Sequence, residues 1–483
     1  MKLKTGGHVP ASMFRAAVSI LSLLAIGGGV VYASPPAQSA PPVSATTFDR
    51  QDLERSLPTL EAAHVAAPGN DAVRRAYADT LFKLGDIWRA RDTIAPLATA
   101  RSSNVSDLRL GAHAAYLLGD YTRAETLYAR LAAITARASE DHTVAVKGLV
   151  YVYYQTNRYA KAKGLTLPST ADEGKVGGIV PLLTFMQRFQ GKPYQITWAT
   201  RDKVAHLPII NDFMAPGTLP LFRFEINGQT VEFILDTGGD RLYIDEGVAA
   251  RLGIRTIAHT RSRYAYTKGE TVDEPLGVAD TVKLGDVTLS NVPVTVAKWK
   301  ARGIKSDGVI TTQILKQFLS TVDYTKKELT FRERSETGRR QFLESAAAAN
   351  PVTMKFFMAN RHLMFTKGSL NGHDGLNIFL DSGLAASVPL VMVDETVAML
   401  GLTKTPVPGQ KFYTVPIQSH GIGTLLRGPT QALGNVFVDK DMYRINGFVM
   451  DALISHEYLK HLGAWTIYFD TMTYQFPGQA APG

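Results

Sequence analysis

Val231-Glu232-Phe233-Ile234-Leu235-Asp236-Thr237-Gly238 recurs 145 residues later as Leu376-Asn377-Ile378-Phe379-Leu380-Asp381-Ser382-Gly383. Each copy is a mainly apolar run closed by an acid, a small hydroxyl residue and glycine. Each follows a turn signal, Asn227-Gly228 or Asn371-Gly372. Asn-Gly between apolar runs specifies a tight hairpin. The unit read twice is strand, turn, buried strand, then a carboxylate on a glycine turn. One Asp-Thr-Gly or Asp-Ser-Gly says little in a chain of 483 residues, but one of each in matching contexts says a great deal.

A tandem duplication should hold its offset elsewhere, and it does. Asp307-Gly308-Val309-Ile310-Thr311-Thr312-Gln313-Ile314-Leu315-Lys316 is matched, 144 residues on, by Asp451-Ala452-Leu453-Ile454-Ser455-His456-Glu457-Tyr458-Leu459-Lys460. Thr321-Val322-Asp323-Tyr324 is matched by Thr466-Ile467-Tyr468-Phe469, and Phe331 by Phe476, both at 145. Features kept in register over this span indicate two copies of one β unit.

On these residues the segment from about 200 to 478 resembles the aspartic proteases of the pepsin and retropepsin superfamily. The resemblance implies a mostly β, bilobal acid-protease fold, with lobes over 201–340 and 341–478. It implies an endopeptidase whose catalytic pair is Asp236 and Asp381, supported by Thr237, Gly238, Ser382 and Gly383. The first turn continues to Asp240, as in retroviral proteases, whereas the turn at Asp381 resembles that of a pepsin C-terminal lobe. Where the family has a glycine in the segment crossing beneath each turn, this chain has Thr311 and Ser455. A catalytically weak, protease-like peptide-binding protein is the alternative those departures, with Leu384, motivate; a tetratricopeptide (TPR) scaffold protein of the cell envelope, whose N-terminal helical repeats are the functional part, is a second.

The chemistry explains the residue types. Two carboxylates about 3 Å apart cannot both ionise, so they share a proton. One then takes a proton from water while the other donates to the scissile carbonyl, and no metal or other cofactor is required. Glycines beside the acids let backbone amides approach. The resemblance implies that Thr237 and Ser382 turn inward and tie the two loops together. Strongly acidic members carry a hydroxyl residue after each turn, but here those positions are Gly239 and Leu384. Fewer donors raise a carboxyl pKa, so the expected optimum is mildly acidic to near neutral. The polar stretch Tyr264-Ala265-Tyr266-Thr267-Lys268-Gly269-Glu270 is the candidate flap, with Tyr264, Tyr266 and Gly269 its candidate contacts. An ordinary hairpin with surface tyrosines is the other reading.

The N-terminal half is different. Lys2, Lys4 and Arg15 precede or open an apolar run to Tyr32, and Val31-Tyr32-Ala33 offers a cleavage site. Residues 1–33 therefore read as a signal peptide or a retained membrane anchor, and either places the body outside the cytosol, periplasmic or secreted. Residues 34–48 form a Pro/Ser/Ala-rich linker. Leu84-Gly85-Asp86-Ile87-Trp88-Arg89-Ala90 recurs as Leu118-Gly119-Asp120-Tyr121-Thr122-Arg123-Ala124, with a weaker third copy from Tyr153 to Ala162. The 34-residue offset makes 49–165 resemble tetratricopeptide (TPR-like) repeats, an all-α helical array. That array is either a surface for a protein partner or a helical domain packed on the protease. Residues 166–200 connect it onward, with an apolar helix predicted over Ile179–Phe189.

Composition removes other classes. The chain has no cysteine, so disulfides and thiol catalysis are excluded. Its net charge of +9, or +6 without residues 1–33, is spread out, and no basic-aromatic cluster suggests nucleic acid. His456 and His461 are five apart, roughly 140° around a helix, so they cannot share a metal. His206, His362 and His373 read as ordinary surface or satisfied residues.

Overall fold

The computed structural model describes residues 25–26, 49–167, 179–264, 272–302, 304–348, 350–436 and 447–477. Apart from Ala25–Ile26, the leader and linker segments lie outside the described residues. Among the described residues no helix is long and apolar enough to cross a membrane.

The N-terminal part is helical: α1 (Arg50–Ala66), α2 (Asp71–Lys83), α3 (Ile87–Ile94), α4 (Val105–Leu117), α5 (Tyr121–Ile134), α6 (Glu140–Gln155) and, after a 3-10 turn, α7 (Ile179–Arg188). The first six begin where a side-chain oxygen can take an otherwise unpaired amide of the first turn: Asp49, Asn70, Asp86, Asn104, Asp120 and Ser139. The repeated Leu-Gly-Asp strings are turns in which glycine ends one helix and aspartate caps the next. Gly85 and Gly119 both have φ +74°, and Asn157 takes their place in the third turn at φ +57°. One hydrogen bond closes all three, from Asp86, Asp120 and Arg158 amides to Leu81, Ala115 and Tyr153 carbonyls, each 2.9 Å.

The C-terminal part is mostly β and is built twice. Strand Gly308–Thr311 runs parallel to Gln229–Asp236 and antiparallel to Leu242–Asp245. Strand Ala452–Ile454 runs parallel to His373–Leu380 and antiparallel to Leu390–Met392. The two short crossing strands and the ends of the long ones, residues 233–236 and 376–380, are buried on both faces, which is why they read as apolar runs. The halves join in an antiparallel sheet of six strands, in the order Val204–Pro208, Glu328–Arg332, Leu319–Asp323, Ala464–Tyr468, Thr473–Phe476, Val352–Ala359.

The three helical turns all dock on this β body. Gly85 packs against Asn377, and a side chain at Gly119 would meet Met472 Sδ at 3.1 Å. Asn157 Nδ2 donates to Gln317 Oε1 at 2.8 Å. Two lysines of the β body meet the negative ends of helices: Lys367 Nζ donates to the Leu84 carbonyl (2.9 Å) and Lys316 Nζ to that of Gln155 (2.6 Å). Arg50, buried at the start of α1, donates from Nε to Asp451 Oδ1 at 2.9 Å.

Candidate active site

Asp236 ends strand Gln229–Asp236, and Asp381 follows strand His373–Leu380 at the equivalent place. Both are fully buried. The crossing strands fix them: Thr311 pairs with Asp236, and the Asp381 amide donates to the Ile454 carbonyl at 2.9 Å. Each carboxylate accepts from the amide two residues on, Gly238 to Asp236 Oδ1 at 2.6 Å and Gly383 to Asp381 Oδ1 at 3.0 Å.

The glycines also explain how the halves close. A Cβ at Gly238 would stand 2.9 Å from Asp236 Oδ1 and 3.2 Å from Asp381 Oδ1. A Cβ at Gly383 would run into the Asp236 carboxyl group itself. Each acid therefore lies over the other half's glycine, and the two carboxyl groups are close enough for each to feel the other's charge. Burial, then the charge of Asp236, push the Asp381 carboxyl well above the usual carboxylate range, outweighing the amides of Gly383 and Leu384. The pair suits holding one proton between two acids.

Thr237 and Ser382 form a reciprocal lock. The Thr237 amide donates to Ser382 Oγ and the Ser382 amide to Thr237 Oγ1, both at 3.0 Å. Thr237 Oγ1 then donates to the Leu380 carbonyl at 2.9 Å, across the boundary between halves.

Thr311 and Ser455, which stand where the resemblance implies glycine, are both buried. The Thr311 methyl fills the space beside Gly239, where a Cβ would come within 2.6 Å of Thr311 Cγ2. Thr312 Oγ1 donates to the Thr237 carbonyl at 2.8 Å, supporting the turn from below. In the second half Ser455 Oγ donates to the Val388 carbonyl (2.6 Å) and accepts from the Glu457 amide (3.2 Å).

Asp240 is buried and heavily partnered. Tyr243 donates to its Oδ1 at 2.8 Å, and Arg361, from the opposite half, donates from Nε to Oδ2 at 2.9 Å. Burial opposes ionisation there, yet Arg241 and Arg361 hold the carboxyl well below the usual range. His362 departs from the expected ordinary histidine. It is buried beside the Gly238 backbone, and burial lowers its pKa to about 4, so the ring is neutral except in acid. His206 and His373 are paired with Glu328 (3.1 Å) and Glu54 (3.2 Å).

Of the candidate flap, Tyr264 ends strand Arg255–Tyr264, which pairs antiparallel with Val272–Leu284. Tyr266 and Gly269 lie outside the described residues. Sequence reasoning missed Arg361, and it missed Tyr154 of α6, whose hydroxyl donates to the Asp240 carbonyl at 3.0 Å. No local signal marks either residue, because their partners lie 121 and 86 positions away.

Residues 222–314, which include Asp236 and the first crossing strand, match the aspartyl protease family. No curated protein matches the chain. Among solved structures, basic 7S globulin from soybean is similar at 10% identity and a TM-score of 0.34, covering 59% of this chain and 95% of that one. Conglutin gamma, a basic 7S globulin from lupine seeds, is similar at 8% identity and a TM-score of 0.36, covering 58% and 96%.

Proposed function

We propose that this chain is an aspartic endopeptidase. The observation that carries the reading is the meeting of Asp236 and Asp381, each from one copy of a duplicated unit, both buried and each lying over the other half's glycine turn. The family match over 222–314 supports it. In this mechanism the pair shares one proton and holds a water between the carboxyl groups. The ionised acid takes a proton from that water as it attacks the peptide carbonyl, and the other acid donates to the developing oxyanion. The tetrahedral intermediate collapses when a proton passes to the leaving amine. Thr237 and Ser382 keep the two loops at the spacing this requires. Substrate lies extended between the halves and adds its backbone hydrogen bonds beside the hairpin of Arg255–Tyr264 and Val272–Leu284.

Under the same proposal residues 1–33 export the protein, and the helical part is a TPR-like module fused to the protease. Sequencing the mature N-terminus from cells tests export and separates a cleaved leader from a retained anchor. The activity is tested by digesting a peptide library with wild type, Asp236→Asn and Asp381→Asn from pH 3 to 8. Cleavage by wild type alone, blocked by a pepstatin-type inhibitor, is expected. No cleavage at any pH, or equal cleavage by the Asn variants, overturns the assignment.

A further inference from the structure

The two halves are copies, so places where they differ in their contacts show what has been added. Lys460 and Lys316 are equivalent, 144 residues apart. Lys460 Nζ donates directly to the Met214 carbonyl at 2.9 Å, in the segment leading into the first half. The corresponding connection in the second half is the shorter turn that follows strand Val352–Ala359. Lys316 holds the Gln155 carbonyl of α6 instead, at 2.6 Å, and also Gln155 Oε1. Gln155 Nε2 in turn donates to the Arg361 carbonyl at 2.8 Å. The last residue of α6 is thus inserted between the lysine and the hairpin tip that follows Ala359.

That tip, Asn360-Arg361-His362, is held on one side by helices and on the other by the first turn. Tyr116 donates to the Asn360 carbonyl and Gln155 to that of Arg361. The Arg361 guanidinium lies 5.2 Å from the Tyr151 ring centre and 5.8 Å from that of Tyr154, while its Nε reaches Asp240. His362 rests against Gly238. Tyr154 contacts the turn directly, its hydroxyl donating to the Asp240 carbonyl at 3.0 Å. Tyr154, Gln155, Lys316, Arg361 and Asp240 are all buried. On the other side of the pseudo-twofold, Gly217 approaches the Ala385 carbonyl with no helix between: a Cβ there would lie 3.6 Å away.

We propose that Tyr154 and Gln155, at the end of α6, are positioning residues that set the Asp236 turn against the Asp381 turn. The helical array is then a built-in part of the catalytic assembly and not only an attachment for partners. This rests on the endopeptidase reading for its effect on turnover, but its structural content stands apart. Placement errors on the order of 1 Å at reacting groups cost about a hundredfold in rate, so a loosened turn is read in kcat. The two residues touch neither acid, so KM and the identity of the cleaved bond should hold.

The test compares Tyr154→Phe, Gln155→Leu and Gln155→Glu with Trp88→Ala. Trp88 packs on Phe357 at 5.8 Å, in the same interface but away from the turns. Gln155→Glu keeps an acceptor for Lys316 but loses the donor to Arg361, so it should behave like Gln155→Leu. In the full chain, hydrogen exchange over residues 236–243 should quicken in the three α6 variants, while exchange over 381–388 and in Trp88→Ala at 236–243 stays as in wild type. With peptide substrate, kcat should fall about tenfold or more with KM within about twofold. Unchanged exchange at 236–243 overturns the proposal whether or not the protein cleaves peptides. So does an equal loss of kcat in Trp88→Ala. Quickened exchange in a wild-type background that cleaves nothing removes the endopeptidase reading and leaves the brace in place.

Discussion

Thr321 and Thr466 face each other in the central sheet, hydroxyl to hydroxyl at 2.8 Å, and each is the other's copy. A residue paired with its own duplicate places a pseudo-twofold axis between the two strands. The same axis relates Thr237 to Ser382, whose amides and hydroxyls exchange hydrogen bonds. The floor of the molecule and the loops bearing the acids therefore obey one symmetry. A duplicated sequence can bring two single acids to one point only if that symmetry holds at both levels.

The lock at Thr237 is the first place to break it. Thr237→Val keeps the shape but strands the buried Ser382 amide and Leu380 carbonyl. Each buried group left unpaired costs about 1–3 kcal/mol. Thr237→Val should lower unfolding free energy in urea by at least about 2 kcal/mol and abolish cleavage, whereas Thr237→Ser should stay within about 1 kcal/mol of wild type. Equal stability of the Val and Ser variants would show that the lock is not energetically used.

Asp381→Asn separates folding from catalysis. The Asp381 carboxyl titrates above its unfolded value because of burial and the charge of Asp236. Its contribution to stability is therefore complete below the ordinary carboxylate pKa and is lost as pH rises through the raised value. Asparagine cannot ionise, so the variant escapes that loss. It should show no cleavage, a Tm above wild type at pH 8, and a gap that narrows toward pH 4. A variant less stable than wild type at pH 8 would contradict the electrostatic account.

The parts of this molecule legible in sequence are those set by short-range patterns. The Asp-Thr-Gly and Asp-Ser-Gly turns announce themselves because a buried run must end abruptly there, and the crossing strands follow from the held register of Asp307 and Asp451. The helical turns show as Gly-Asp pairs because glycine ends one helix and aspartate caps the next. What could not be read is orientation within a buried element. Tyr151, Tyr153 and Tyr154 form one aromatic run in α6, and nothing local tells which ring fills a core and which hydroxyl reaches Asp240. The Arg50–Asp451 pair spans 401 positions, and neither residue's neighbours encode the other. In sequence Asp451 marks only the duplicated segment, whereas in the fold its carboxylate also receives Arg50.

Acid should loosen the first turn in two stages. His362 is neutral in the fold, its pKa lowered from 6.5 to about 4 by burial. Its contribution to stability is complete above about pH 6.5 and is lost down to about pH 4, on the order of 3 kcal/mol. Asp240 is held below the carboxylate range by its arginines, so its contribution is present above the ordinary value of 3.8 and lost as pH falls further. His362→Gln should flatten urea stability between pH 6.5 and 4 without touching the lower limb. Independently, because Gly239 and Leu384 offer the acid pair no hydroxyl, the cleavage rate should peak in the mildly acidic to near-neutral range, and a maximum below about pH 3 would count against it.

Gly239 and Thr311 should behave as one unit. Gly239→Ala drives a methyl to within 2.6 Å of Thr311 Cγ2 and 3.3 Å of the Tyr243 ring, in a site with no room to relax. Overpacking of this kind costs about 1–3 kcal/mol. Thr311→Ser removes the offending methyl while keeping the hydroxyl, so the double variant should recover most of that loss. A double-mutant cycle in urea measures the coupling directly, and an additive result would mean the two side chains do not contend for the same space. The cycle extends to chemistry with Gly239→Ser in the Thr311→Ser background. That change places a hydroxyl next to the first turn, where it can donate to the ionised pair and stabilise its charged form. The acid limb of the cleavage profile should then move to lower pH relative to Thr311→Ser alone. If it stays put, the missing hydroxyl is not what keeps the expected optimum near neutral.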